Sequence, residues 1–146
     1  MATERRAQRR NRNSAKRAGA AFEIRQTEYL REALENDSID RQPKNGSKDL
    51  GDIARVGYRV SGVNGVPITL EAKNTSSINL TSAMREAETE AANYLEKWGG
   101  HHPFPVVMHK RHGVAAPEKQ WVTMTAEQFT RLLRVAEGVD TEPFGE

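Results

Sequence analysis

Asp52, Glu71 and Lys73 are the residues whose types and spacing best fit a chemical site. Asp52 follows Gly51, and Glu71 and Lys73 form a Glu-x-Lys motif further along the chain. Carboxylate oxygens are the ligands that Mg²⁺ prefers, and a lysine can orient a water molecule or offset charge on a phosphate. Together these groups are the minimum set needed to hold Mg²⁺ and a water molecule against a phosphodiester bond. The sequence therefore points to metal-assisted phosphodiester hydrolysis.

The Glu-x-Lys motif lies in a segment, residues 66–74, that is typical of a β-strand. Successive side chains of a strand point to opposite faces, so Glu71 and Lys73 share one face. The alternate residues are apolar: Ile68, Leu70 and Ala72. We expect the apolar set to enter a core while the two charged side chains share a surface.

Asp52 must reach the motif from a neighbouring strand. Residues 50–61 also have a strand pattern, and Val63-Asn64-Gly65 predicts a turn that would join the two strands as an antiparallel hairpin. Asp49 is an alternative acidic ligand, but it lies on the opposite strand parity from Asp52.

A first helix is predicted from about Ala18 to about Glu35. Its apolar residues fall on two adjoining rows: Phe22, Tyr29 and Ala33 on one, and Thr27, Leu30 and Leu34 on the other. Glu23 lies on the second row, where an uncompensated carboxylate is costly, and this makes it a candidate metal ligand, directly or through water. The alternative is a carboxylate that interacts with the helix dipole.

The remaining elements predict a mixed α/β domain with one sheet covered by helices. A second helix runs from Leu80 to Trp98 and is stopped by Gly99-Gly100, and two short strands follow at residues 105–108 and 121–124. Thr125 caps a last helix. Its expected core face is Phe129, Leu132, Leu133 and Ala136. We expect Trp98 and Trp121 in the core rather than stacked on bases.

Length and composition limit the size of the protein and its setting. The chain has 146 residues, no cysteine and no apolar run that could cross a bilayer. We therefore expect one domain in the cytoplasm, with neither a membrane nor a small molecule as partner. The four histidines, His101, His102, His109 and His112, fit a zinc site poorly because no cysteine accompanies them.

Basic residues are concentrated in residues 1–17, which we expect to form a flexible arm. They are Arg5, Arg6, Arg9, Arg10, Arg12, Lys16 and Arg17. Such an arm attracts polyanions and releases counterions on binding, although a solubilising tail has the same composition. Arg85, Lys110 and Arg111 are further candidates for contacts with DNA phosphates, with solvated surface positions as the alternative. Residues 139–146 are expected to form a C-terminal tail.

Four segments resemble the PD-(D/E)xK nuclease superfamily, and within it the archaeal and phage-type Holliday junction resolvases. They are residues 19–23 (GAAFE), 48–53 (KDLGDI), 70–74 (LEAKN) and 107–113 (VMHKRHG). The resemblance covers most of the chain from Gly19 to the last helix. It implies a restriction-endonuclease-like domain at residues 18–138, in which a central mixed sheet of α-β-β-β-α-β type is flanked by helices.

The resemblance also implies an activity, cofactor and partners. The activity is that of a Mg²⁺-dependent endodeoxyribonuclease, with Mn²⁺ as a substitute, which acts as a homodimer on branched or duplex DNA in recombination or repair. Asp52, Glu71, Glu23 and the Ala72 carbonyl would be the metal ligands, and Lys73 would serve the attacking water. A phage-encoded member would act in the host cytoplasm. An exonuclease, a repair nickase and a non-catalytic DNA-binding module remain alternatives, because a fold does not fix a substrate.

The sequence departs from the family pattern at two places. Gly51 stands where the superfamily name has proline. Some relatives carry glutamine and tyrosine in the helix after Glu-x-Lys, where this chain has Glu90 and Tyr94. We assign no role to this pair from the sequence.

Overall fold

The computed structural model describes residues 2–44, 48–60 and 63–138. Over these residues the chain is an α/β structure with three α-helices around a mixed sheet. The helices are α1 (Ala2–Ala33), α2 (Leu80–Trp98) and α3 (Ala126–Ala136). The strands are β1 (Asp40–Arg41), β2 (Ile53–Ala54), β3 (Gly57–Val60), β4 (Val63–Lys73), β5 (Phe104–His109) and β6 (Trp121–Thr123). The predicted tail at 139–146 lies outside the described residues.

The sheet is built around β4, which pairs along both of its sides. Its order is β1-β2-β4-β5-β6, and β3 pairs with the first part of β4. β2 and β3 are antiparallel to β4, with Ile53 opposite Leu70 and Gly57 opposite Pro67. Between them Arg55 has a φ of 62°, so an irregularity interrupts what the sequence predicted as one continuous strand. β5 runs parallel to β4, and α2 makes the crossover between them.

The predicted turn at Val63-Asn64-Gly65 is wrong, because residues 63–65 belong to β4. Val60 of β3 pairs with Val63 of β4. Residues 61 and 62 lie outside the described residues, although their sequence, Ser-Gly, is also a dipeptide that marks turns.

The two broad faces of the sheet differ in composition. On one face Leu70, Ala72 and Met108 pack with Phe22 of α1 in an apolar cluster. On the other face Val107 packs under α2, against Ala83, Met84 and Ala87. Glu71 pairs in register with Val107, so it lies on the face that α2 covers. The predicted alternation along β4 is therefore confirmed.

α1 begins at Ala2, earlier than the predicted start near Ala18. Residues 2–17 contain no glycine or proline and are rich in alanine and arginine, which favour helix even without an apolar stripe. The predicted boundary between arm and domain at residue 17 therefore falls inside a helix. The side chain of Asn74, which follows β4, donates a 3.3 Å hydrogen bond to the Ala18 carbonyl and ties α1 to the strand at this point.

The last helix is capped as predicted, and only part of its predicted core face is confirmed: Leu132 packs against the cluster of Phe104, Val106 and Val135, whereas Ala136 is exposed. The Thr125 side chain accepts a hydrogen bond from the Gln128 N–H. Phe129 and Leu133, expected in the core, are exposed, whereas Arg131 and Val135 are buried. Arg131 lies 4.1 Å from the Phe104 ring centroid, and this cation–π contact places the guanidinium where the pattern predicted an apolar residue.

Candidate active site

Asp52, Glu71 and Lys73 come together on the α2 side of β4. Nζ of Lys73 lies 2.9 Å from Oε1 of Glu71, and Asp52 is close enough that the charge of Glu71 raises its pKa. Asp52 and Glu71 are 8% and 5% exposed. The structure thus unites the three residues that the sequence selected, but in a buried setting rather than on an open surface.

Backbone contacts fix Asp52 against β4. The Asp52 N–H donates to the Leu70 carbonyl at 2.8 Å, and Oδ2 of Asp52 accepts from the Ala72 N–H at 2.7 Å. The N–H and carbonyl of one strand residue point the same way, so the Ala72 carbonyl also faces the edge where Asp52 lies. This orientation agrees with the predicted role of that carbonyl as a metal ligand.

Gly51 has a backbone conformation that favours glycine and excludes proline. Its φ is +99°, and a Cβ atom there would lie 3.2 Å from the Leu70 carbonyl oxygen. The Gly51 N–H donates to Oδ1 of Asp49 at 3.0 Å, so Asp49 supports this turn. Glycine at position 51 therefore reflects the backbone path that brings Asp52 to β4.

Lys73 is held between two carboxylates. It contacts Glu71 at 2.9 Å and Glu86, on α2, at 2.7 Å. Burial alone would lower the pKa of Lys73, but the hydrogen bonds and charges of Glu86 and Glu71 outweigh it, and the pKa is raised. Lys73 is therefore a protonated donor at neutral pH.

Glu90 adds a third buried acid to the site, and it comes from α2. It is 3% exposed, and both Oε2 of Glu90 and Oε2 of Glu71 are buried without a hydrogen-bond partner. Burial and the neighbouring Glu71 raise the pKa of Glu90, and burial and the charge of Glu71 raise that of Asp52 to about 7. The site thus has more acidic groups than its one lysine can compensate.

The donor set fits a hard divalent cation. Asp52, Glu71 and the Ala72 carbonyl supply oxygen atoms, and the unpartnered Oε2 of Glu71 lacks the proton donor that a buried carboxylate oxygen normally has. Within the described residues, no three acidic or histidine side chains are arranged as a ready-made metal cage. Mg²⁺ commonly uses one or two carboxylates and retains water ligands, so a complete cage is not required.

Glu23 lies beside the site, but its charge is engaged elsewhere. Oε2 of Glu23 forms a 2.7 Å ion pair with Arg41 of β1. Its negative charge nevertheless contributes to the raised pKa of Asp52, so it is near enough to act on the site electrostatically. The sequence suggested that Glu23 is a metal ligand or interacts with the helix dipole. The ion pair with Arg41 is neither of these.

The candidate DNA contacts occupy different surroundings. Arg85 on α2 is exposed, as are Arg12, Lys16 and Arg17 on α1. Lys110 donates from Nζ to the Val114 carbonyl, and the Arg111 guanidinium lies 4.7 Å from the Trp121 ring centroid. Nothing is described for the side chains of Arg5, Arg6, Arg9 and Arg10.

The two tryptophans and His109 differ in their exposure to solvent. Trp98 and Trp121 are 64% and 50% exposed, so the prediction that they lie in the core is wrong. Trp98 ends α2 and Trp121 lies on the edge strand β6, beyond the reach of the packed layers. His109 is buried and its Nε2 lies 2.8 Å from Oγ1 of Thr123.

Glu86 and Glu90 are the site residues that the sequence reasoning missed. Glu90 is flanked by Ala87 and Ala91, both fully buried, and so lies on the apolar stripe of α2. A carboxylate on such a stripe is the same signal that selected Glu23 on the first helix. Glu86 is one turn earlier and half exposed, and no pattern marks it apart from its spacing to Glu90.

Comparisons with known proteins give this chain no relative. No protein-family model, curated protein or solved structure matches it. Among the described residues, none of the helices is both long and apolar enough to cross a membrane. The geometry of Asp52, Glu71 and Lys73 is therefore what supports a function for this chain.

Proposed function

We propose that this chain is a Mg²⁺-dependent DNA endonuclease with a PD-(D/E)xK-type site on a restriction-endonuclease-like fold. The observation that carries the proposal is the buried cluster of Asp52, Glu71 and Lys73, in which Oε2 of Glu71 has no partner. Buried like charges are costly unless a counter-charge is present. A divalent cation supplies that charge.

The residues of the site have separate roles. Asp52, Glu71 and the Ala72 carbonyl would hold Mg²⁺, and the ion would supply Lewis-acid chemistry that polarises the phosphodiester and activates water. Lys73, whose pKa is raised, donates hydrogen bonds to the attacking water or to a phosphate oxygen and stabilises the developing negative charge. Glu86 holds the lysine in place when no DNA is bound.

The proposed substrate class is branched DNA, with the Holliday junction as the leading member. The resemblance of residues 19–23, 48–53, 70–74 and 107–113 to junction resolvases supports this choice. Such an enzyme would act in the cytoplasm, or in the host cytoplasm if a phage encodes it, during recombination or repair. Linear duplex and flap DNA are the competing substrates, because the same catalytic set serves exonucleases and nickases.

The basic half of α1 is proposed to bind a DNA arm. Asn74 ties α1 at Ala18 to the chain immediately after Lys73, so the helical arm starts beside the site. Sixteen helical residues, 2–17, span about 24 Å, which corresponds to about seven base pairs. Deletion of residues 1–17 should weaken DNA binding and flatten its dependence on salt. Unchanged binding would show that the arm is only a tail.

A homodimer is proposed because symmetric cutting of a four-way junction needs two sites related by a two-fold axis. Exposed apolar residues on β6, at the sheet edge, and on α3 support an interface there: Trp121, Val122, Phe129 and Leu133. Light scattering should give a dimer for the wild type and a monomer for Val122→Lys. A wild-type monomer that cuts junctions symmetrically would overturn this assignment.

The test of function is cleavage of labelled four-way junction, linear duplex and flap DNA in Mg²⁺ and in EDTA. We expect cutting of the junction in Mg²⁺ only, and loss of cutting in Asp52→Asn and Lys73→Ala with DNA binding retained. Lys48→Ala is a matched control for Lys73→Ala, because Lys48 forms an exposed ion pair with Glu96. Equal digestion of all three DNAs would remove the junction preference but keep the nuclease. Binding without turnover in any divalent metal would favour the non-catalytic DNA-binding module.

A further inference from the structure

We propose that Glu90 of α2 is a further acidic residue of the divalent-cation site, acting on the cation through a bound water molecule. This inference rests on the proposed nuclease function and deepens it. Neither the Glu-x-Lys motif nor its neighbouring strand contains Glu90, which reaches the site from the helix packed above β4.

Two neighbouring buried carboxyl oxygens carry the inference. Glu71 and Glu90 are each more than nine-tenths buried, and Oε2 of each has no partner outside this pair. The two carboxyl groups are near enough to hydrogen-bond when Glu90 carries a proton, and Asp49 and Asp52 add negative charge to the surroundings of Glu90. A cation beside Glu71 would take the place of the shared proton and engage both oxygens.

The backbone leaves room for Glu90 to reach Asp52. A Cβ atom at Gly51 would lie 3.5 Å from Oε2 of Glu90, so Glu90 packs over the glycine that precedes Asp52. The carboxyl group of Glu90 therefore lies beside the residue that precedes Asp52. Glu90 consequently faces both strands of the candidate site.

Contact through water agrees with the rest of the geometry. The described residues contain no preformed cage of three acidic or histidine side chains, so Glu90 need not be a direct ligand. Mg²⁺ retains several water ligands, and groups that hydrogen-bond to such ligands typically change metal affinity by about 10–100-fold when mutated. Glu23, the third acid that the sequence selected, is instead paired with Arg41.

The test is Mn²⁺ binding without DNA, measured on the full chain from the electron paramagnetic resonance signal of free Mn²⁺. We expect Glu90→Gln to weaken Mn²⁺ binding at least about tenfold. Glu96→Gln, a matched change on the same helix at an exposed residue paired with Lys48, should leave binding unchanged. Glu23→Gln should have a smaller effect than Glu90→Gln. The metal-free Glu90→Gln protein should melt no lower than wild type, because an isosteric amide replaces a buried acid.

The outcomes separate this inference from the proposed function. Equal Mn²⁺ affinity in wild type and Glu90→Gln would overturn the role of Glu90, even if the wild type cuts DNA. A wild type that binds Mn²⁺ through Glu90 but cuts no DNA would uphold the cation site and refute the nuclease. A wild type that binds no Mn²⁺ would overturn both.

Discussion

The two faces of β4 perform different tasks in the same strand. Leu70 and Ala72 point toward α1 and join an apolar cluster, whereas Glu71 and Lys73 point toward α2 and meet Glu90 and Glu86. The apolar face stabilises the fold by removing hydrocarbon from water. The charged face costs stability, since acids are buried there without full compensation. Substitutions on the two faces should therefore have opposite consequences for stability and activity.

The largest expected effect is loss of cleavage on the charged face. Glu71→Gln should reduce the rate of DNA cleavage in Mg²⁺ by about a thousandfold, equivalent to about 4 kcal/mol of transition-state stabilisation. The metal-free protein should remain folded, because the amide has almost the same shape as the buried carboxyl group. Single-turnover cleavage and thermal unfolding of the same preparation check both statements. Retained cleavage would remove Glu71 from the site.

The next largest effect belongs to the apolar face. Leu70 is 2% exposed and packs with Phe22, Ile53 and Met108, so Leu70→Ala should lower the free energy of unfolding by about 2–5 kcal/mol. Urea unfolding measures the loss. Leu34→Ala is the matched control, because Leu34 is 51% exposed and should change stability by less than about 0.5 kcal/mol. Equal effects would mean that the cluster under α1 is not the core.

Gly51 lies against the backbone of Leu70 in β4. It should tolerate substitution by alanine less well than a glycine of similar conformation that has open space around it. Gly51→Ala combines a positive φ with a Cβ atom 3.2 Å from the Leu70 carbonyl oxygen, and should cost about 1–3 kcal/mol. Gly113→Ala separates the two causes, since Gly113 has a φ of +78° and no atom within 4 Å of a Cβ. We expect the larger loss at Gly51, by urea unfolding. An equal loss would assign the whole effect to backbone strain.

A further expected effect is a pH dependence of the metal-free protein. Burial and the charge of Glu71 raise the pKa of Asp52 from 3.8 to about 7. The folded state therefore binds a proton that the unfolded state releases, and the stability from this group is lost as pH rises from about 4 to 7. Asp52→Asn should flatten the decline in melting temperature over this range. Asp37→Asn, at an exposed site, should leave it unchanged.

The alternation of apolar and polar residues in β4 and the helical spacing of apolar residues in α2 were sufficient to locate the candidate residues on these two elements. The alternation of Ile68 to Lys73 predicted the two faces of β4, and the limits of α2 at Leu80 and Trp98 agree with the predicted stripe and glycine stop. These features are local, because neighbouring residues determine both strand alternation and helix amphipathicity.

Features that depend on distant contacts were not predictable in the same way. Arg131 is buried because it meets Phe104 and donates to the His102 carbonyl at 2.5 Å. Phe129 and Leu133 are exposed in this orientation of α3, while Val135 stays in the core. Glu90 enters the site because the crossover places α2 over Glu71. Such partners are remote in sequence, so the pattern around each residue does not contain them.

Cleavage of an immobile four-way junction by wild type and Glu71→Gln, in Mg²⁺ and in EDTA, tests the central claim most directly. We predict that the wild type cuts the junction in Mg²⁺ and not in EDTA, and that Glu71→Gln binds the junction without cutting it. Cleavage by the wild type in EDTA, or undiminished cleavage by Glu71→Gln, would contradict a metal-dependent site on the charged face of β4.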